Sequence, residues 1–320
     1  MDDRAPTQGR LRRLVEELTE EGYGAMLGDH RELIVEELDI ALHPPVHERR
    51  IPSYGALIAP ETDPDDWVQA TELVPTRRRV EEFTDVHVRS FADGWSSFAV
   101  RREEGLDELI VFDRPAGSER DLVVLSRAAQ ATVVQRDDTG EVRLVGPAGV
   151  LRHDLAGWHH EPQVETWLAD VPDCTQEGEL TVLGTLLAFA VHDLGARGIG
   201  AVLVQRFTND PVSPFESLLP TPPALEITRS ADLAPLRHAL AQTDGATIFD
   251  TDGVLQMMGV RLVPSADAEA EVDPIGGMRH TSARRYSHDD PRANVIVVSD
   301  DGPVTLFRSG RIIARSSAAN

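Results

Sequence analysis

From residue 179 onward, helix-spaced apolar stretches alternate with short β-branched runs, and this alternation constrains the fold more than any other feature of the chain. Residues 179–194 are apolar on much of a helical surface and close with Gly195 and Gly198, a helix stop. Residues 199–205 read as a buried strand and 209–225, rich in Pro, as loop. A helix over 231–241 follows. Residues 246–249 and 254–258 form a hairpin around Asp252-Gly253, a short helix covers 281–287, and 295–298, 304–307 and 312–314 are strands. Helices and strands in alternation predict an α/β fold with a mixed sheet flanked by helices.

The first half reads differently. Leu11, Leu14, Val15 and Leu18, then Leu33, Ile34, Leu38 and Leu42, recur at helical spacing over 10–42, and Pro44-Pro45 stops the pattern. Residues 60–66 are a polar connector. Short strands are expected at 86–91, 109–112, 122–125, 131–135 and 141–145, with a turn at Asp138-Thr139-Gly140. This is a smaller α+β region, and the polar stretch 170–178 divides the chain into 1–172 and 173–320.

Charge and composition remove several functions. The formal net charge is −23, which repels nucleic acid at long range, so no nucleic-acid partner is expected. All 31 basic residues are Arg. A chain without Lys has no Walker A loop, no Schiff-base lysine and no kinase β3 lysine. Phosphate must therefore be met by Arg, backbone N–H groups or metal. The single Cys174 excludes an intrachain disulfide framework. The charged stretch after Met1-Asp2-Asp3 is unlike a signal peptide, and the apolar run at 180–191 is short for a bilayer span. A cytoplasmic protein without a membrane partner is the expectation.

Four segments carry candidate chemistry. Thr243-Asp244-Gly245-Ala246 lies between a helix and a strand. Gly259-Val260-Arg261-Leu262-Val263-Pro264-Ser265 leaves the hairpin. Gly276-Gly277-Met278-Arg279-His280-Thr281-Ser282-Ala283 opens a helix. Paired glycines let backbone approach a ligand, a helix N-terminus offers unpaired N–H groups to an anion, and Arg279 can fork onto phosphate. Residues 274–288 hold Arg279, Arg284 and Arg285 and no acid. Lastly, the strand 295–298 ends in Ser299-Asp300-Asp301, a hydroxyl and carboxylates at a strand's C-terminal end. Three further features have plain readings. His153, His159 and His160 beside Trp158 match no metal spacing. Asp250-Thr251-Asp252-Gly253 lacks the later ligands of a calcium loop and suits a turn. Arg77-Arg78-Arg79, flanked by Glu81 and Glu82, is a solvated helix start.

Taken in order, Asp-Gly-Ala, Gly-x-x-Leu, Gly-x-Arg-His, a Val/Ile strand ending in Ser-acid, and Thr-Leu resemble the diadenylate cyclase (DAC) domain of the DisA and CdaA type, over roughly 175–320. Two positions depart from the pattern. Met278 stands where Thr is usual, and Thr281 where Arg is frequent. The resemblance implies an enzyme, a nucleotidyltransferase that condenses two ATP into the second messenger cyclic di-AMP and releases pyrophosphate twice. It also implies a homo-oligomer whose DAC domains meet face to face. It places Asp244, Arg279 and His280 in catalysis. Gly245, Ala246, Leu262, Gly277, Met278, Thr281 and Ser299 would contact nucleotide, with Leu262 against adenine. Asp244 and Asp300 would hold Mg2+ or Mn2+. The N-terminal region is then a sensory or regulatory one. Two other readings compete: a DAC-fold nucleotide sensor without turnover, and an interaction protein whose acidic N-terminal half recruits a partner.

Overall fold

The computed structural model describes residues 7–44, 51–79, 85–103, 105–155, 157–161, 163–172, 177–207, 215–217 and 219–316. Cys174, Glu81 and Glu82, and the start of the chain, lie outside these. Two compact units are present, the first ending at Gln163 and the second beginning at Val164.

In the first unit, α1 (Gln8–Glu20) and α2 (Arg31–Leu42) precede β1 (Tyr54–Ile58), the single-turn α3 (Val68–Thr71), β2 (Pro75–Arg79), α4 (Asp85–Phe91), β3 (Ser97–Arg102), β4 (Gly105–Phe112), α5 (Glu119–Ala129), β5 (Thr132–Arg136), β6 (Val142–Gly146), β7 (Gly149–Asp154) and β8 (Gly157–Glu161). The strands form one sheet in the order β2-β4-β3-β1-β5-β6-β7-β8, in which β1 and β3 run parallel. Leu18, Leu38 and Val88 from α1, α2 and α4 cover one face, against Ala56, Val134 and Leu144. Leu122 and Leu125 from α5 cover the other, against Leu57, Phe98, Ile110 and Val133.

Three expectations for this unit are corrected. Residues 122–125 are helix because Leu122, Leu125 and Ala129 fall on one helical face and Ser118 caps α5, its Oγ accepting from Asp121 N at 3.2 Å. Residues 86–91 are helix as well. Val88 and Ala92, four apart, are buried there, and Arg89 reaches Glu37 at 2.7 Å. Arg77-Arg78-Arg79 belongs to β2 and not to a helix, with Arg77 paired to Glu108 at 2.6 Å.

The second unit contains α6 (Val164–Leu168), α7 (Glu177–Phe189) widening into a π turn at Ala190–Leu194, β9 (Ala201–Gln205), β10 (Phe215–Ser217), α8 (Ser230–Leu240), β11 (Ala246–Phe249), β12 (Leu255–Leu262), α9 (Ala266–Glu271), α10 (Met278–Asp289), β13 (Asn294–Val298), β14 (Val304–Arg308) and β15 (Arg311–Arg315). The sheet order is β10-β12-β11-β9-β13-β14-β15; β9 and β11 are parallel and every other pair is antiparallel. The Pro-rich segment expected as loop thus contributes an edge strand, Glu216 pairing with Arg261. This is a mixed sheet between helices. Leu186, Leu187, Phe189 and Leu236 pack with Leu203, Ile296 and Leu306 on one face. Ala283 and Tyr286 of α10 pack with Val202, Val204, Val260 and Val295 on the other.

The helical stretch Gly178–Arg197 has 20 residues, and by length and composition alone it could cross a bilayer. Here Leu183, Leu186, Leu187, Phe189, Val191 and Leu194 are buried within the unit's own core.

Candidate functional site

Strand register brings the four motif segments to one end of the second sheet. Ala246 at the start of β11 pairs with Val202 near the start of β9. Val298, ending β13, lies opposite Ala201, so Ser299 and Asp300 emerge beside Gly200. Val260 on β12 faces Ala246, which puts Arg261 and Leu262 at the same end. The helix α10 closes the group: Arg279 Nη1 in its first turn donates to Asp300 Oδ1 at 2.7 Å.

Three of the four glycines here have a physical reason. Gly245 has φ +99°, and a Cβ on it would lie 2.9 Å from Gly259 C and 3.0 Å from Val260 N. Gly259 has φ +63° and sits in a bulge, where β12 advances from Val260 to Met257 while β11 advances only from Ala246 to Ile248. The Asp-Gly-Ala glycine therefore permits the two strand backbones to close on one another. Gly276 has φ +57° and needs the absence of Cβ, whereas Gly277 has φ −80° and open space around it.

The loop into α10 is fastened by Thr281. Its Oγ1 accepts from Ile275 N at 3.2 Å and donates to Ile275 O at 3.1 Å, while its N–H donates to Gly277 O at 3.1 Å. Gly277 is the N-cap and no side chain caps the helix, so the first N–H groups of α10 face the sheet end unpaired by a cap. Met278 is 89% exposed at the first helical position.

His280 is half-buried, its ring edge-on to Phe307 at 6.0 Å, with Nε2 3.4 Å from Thr305 Oγ1. Burial, then the positive charges of Arg315 and Arg279, push its pKa below the usual 6.5, with Asp301 opposing. The imidazole is neutral at pH 7 and offers one donor and one acceptor. Asp244 is exposed, at the turn between α8 and β11. Ser299 is fixed through its backbone, N–H to Pro303 O at 2.9 Å. Leu262 is only 8% exposed and packs beneath α10 with Ala283 and Tyr286.

Among the described residues no group of three or more His, Cys, Asp or Glu could hold a metal. A nucleotide-borne Mg2+ or Mn2+ asks less, one or two carboxylates with phosphate and water completing the shell, and Asp244 and Asp300 are donors of that kind. The other clusters have local partners. His159 pairs with Asp154 at 3.0 Å, His160 Nε2 lies 3.1 Å from Ala148 O, and His153 meets Trp158 edge-on at 4.6 Å. Asp250 holds its hairpin turn, accepting from Asp252 N at 3.0 Å and Val254 N at 2.9 Å. Sequence reasoning missed Gly200, reading it only as part of the buried strand 199–205, whereas β9 begins one residue later at Ala201.

Residues 188–312 match a family model described as DisA bacterial checkpoint controller nucleotide-binding, the DAC family. The C-terminal half is DAC-like. Residues 12–162, within the first compact unit, match a model described as "Probable sensor domain DACNK". Among solved structures, the DAC-like chain is similar to a hypothetical membrane spanning protein from Bacillus cereus, at 20% identity over 44% of this chain and 72% of that one, with a TM-score of 0.32. It is also similar to a double mutant of DacA from Staphylococcus aureus, at 17% identity over 45% and 91% of the two chains, with a TM-score of 0.29. No curated protein matches the chain.

Proposed function

We propose that the protein is a cytoplasmic diadenylate cyclase that joins two ATP into cyclic di-AMP through a face-to-face pair of DAC-like domains. The observation that carries this reading is the meeting of Asp244-Gly245-Ala246, Arg279-His280 and Ser299-Asp300 at one sheet end, joined by the 2.7 Å contact from Arg279 to Asp300.

In each half-reaction the 3′-oxygen of one ATP forms a bond to the α-phosphorus of the other, the bridging bond to the β-phosphate breaks, pyrophosphate leaves and the hydroxyl proton is released. Repeating this with the roles exchanged closes the ring. Arg279 binds phosphate oxygens, and neutral His280 donates to one. The opening N–H groups of α10 face the same charge. Asp244 accepts from the attacking 3′-hydroxyl and aligns it, while Ser299 completes the phosphate contacts. Gly245, Ala246, Gly277, Met278 and Thr281 border the nucleotide, while Leu262, buried beneath α10, backs this surface from the core. Asp244 and Asp300 would hold Mg2+ or Mn2+, whose charge would offset that of the phosphates and of the leaving pyrophosphate. Fixing two nucleotides in line removes much of the entropic part of the barrier. The N-terminal unit acts as the sensor that governs this pairing.

A second reading has specific support. Met278 and Thr281 replace the usual Thr and the frequent Arg, and the hydroxyl of Thr281 is already engaged with Ile275. This suits a nucleotide-binding sensor without turnover. Incubation with ATP and Mn2+ or Mg2+, followed by chromatography, separates the two. Cyclic di-AMP with two pyrophosphates per product supports the cyclase. Bound ATP without product supports the sensor.

A further inference from the structure

We infer that Gly200 seats a charge latch between Arg279 and Asp300 that makes the site discriminate metal-charged ATP from the free polyanion; this rests on the nucleotide reading above. Gly200 has no left-handed φ that would demand glycine. What marks it is the space above it, which two side-chain tips share. A Cβ on it would fall 1.8 Å from Asp300 Oδ1 and 2.2 Å from Arg279 Nη1. The hole left by the missing side chain is therefore where a guanidinium from the first turn of α10 and a carboxylate from the end of β13 meet.

The pair lies in water, with Arg279 41% and Asp300 74% exposed, so it is weak and opens when better partners arrive. While closed, it withholds one N–H of Arg279 from phosphate and part of the charge of Asp300 from a cation. Free ATP offers a partner to Arg279 alone. Taking it strands Asp300 beside phosphates of like charge. ATP that carries a divalent cation satisfies both, phosphate on Arg279 and metal on Asp300. Nucleotide and cation thereby strengthen each other's binding through the protein, and linkage requires the effect to be reciprocal.

The test is a double-mutant cycle read as binding of ATP in EDTA, where neither metal binding nor turnover contributes. Calorimetry on the full chain compares wild type, Asp300→Asn, Arg279→Ala and the double variant. Freeing Arg279 should make Asp300→Asn bind metal-free ATP about twofold to fivefold tighter, the scale of an exposed ion pair. The same change in the Arg279→Ala background should do clearly less. Equal gains in both backgrounds would mean that Asp300 merely repels phosphate, and the latch would be wrong. Weaker binding by Asp300→Asn would also overturn it. Gly200→Ala is the positional check: with a methyl group in the seat, the coupling between positions 279 and 300 should vanish, and persistence of that coupling removes Gly200 from the device. Wild-type affinity for ATP with Mg2+ is measured alongside. If that is absent, the nucleotide reading itself falls. If it is present and the cycle shows no coupling, only the latch does.

Discussion

Gly245→Ala gives the sharpest contrast between a glycine whose backbone conformation and neighbours exclude a side chain and one, Gly277, whose surroundings are open. Gly245 has φ +99°, a region that costs an L-residue about 1–3 kcal/mol. The added Cβ would also meet Gly259 C at 2.9 Å and Val260 N and O at 3.0 Å. Those are backbone atoms of β12, held between β10 and β11, so they cannot rotate away, and overpacking of this sort costs about 1–3 kcal/mol. Together the loss is about 2–6 kcal/mol. Gly277→Ala is the control: its φ is −80° and nothing lies within 4 Å of the new methyl, so the change costs only the weaker N-cap of Ala, about 1 kcal/mol at most and confined to α10. A chain of two units has no single unfolding transition, so the readout is local. Hydrogen exchange in peptides spanning β11 and β12, with urea denaturation alongside, should show protection falling in Gly245→Ala and unchanged in Gly277→Ala. Equal behaviour of the two variants, or full protection in Gly245→Ala, would refute the close-approach argument.

Three more outcomes follow from the site. Asp244→Asn, at an exposed position outside the core, should abolish cyclic di-AMP formation and leave circular dichroism unchanged; a folded variant with wild-type turnover removes Asp244 from catalysis. Thr281→Val deletes both hydroxyl contacts to Ile275, worth about 1–2 kcal/mol of loop order, and should raise exchange across 275–280 and weaken ATP binding about tenfold; unaltered exchange would show that the loop holds without them. The imidazole of His280 should titrate below 6.5 by NMR. Because the folded pKa is the lower one, the unfolded chain takes up its proton first. Stability therefore declines as pH falls through 6.5, levels off below the folded pKa, and is unaffected above 6.5, a slope that His280→Gln should flatten. A pKa at or above 6.5 contradicts the assignment.

The central strands of the C-terminal sheet were legible because they are mostly apolar runs, buried along their length and bounded by turn residues. Residues 201–205 and 294–298 are buried throughout. The N-terminal sheet was less so. Tyr54–Ile58 is equally buried but interrupted by Gly55, where a Cβ would lie 2.5 Å from Gly94 Cα, a closeness that no local pattern announces. A window of four residues, as at 122–125, cannot separate strand from helix, and there a cap three residues before Asp121 decides the matter. The motif segments could be read in order along the chain, and register brings them to one place. What the chain order hid was Gly200. Its role depends on two side chains supplied by much later elements, and a glycine before a strand looks the same whether or not anything fills the space above it.

The facing glycines at 245 and 259 have a consequence for how such a site can be altered. Asp244 is carried at the entry to β11, yet how closely that entry approaches its neighbour is set by the bulge in β12, a strand holding neither Asp-Gly-Ala nor Arg-His. A side chain at Gly245 needs relief from the backbone of β12, whereas one at Gly259 would meet Leu219, so only the first is tied to the facing strand. An engineer wishing to shift Asp244 relative to Arg279 has a dial outside both motifs. Lengthening or shortening the bulge between Met257 and Val260 slides one strand past the other and re-aims the carboxylate, leaving Asp-Gly-Ala and Arg-His as they are.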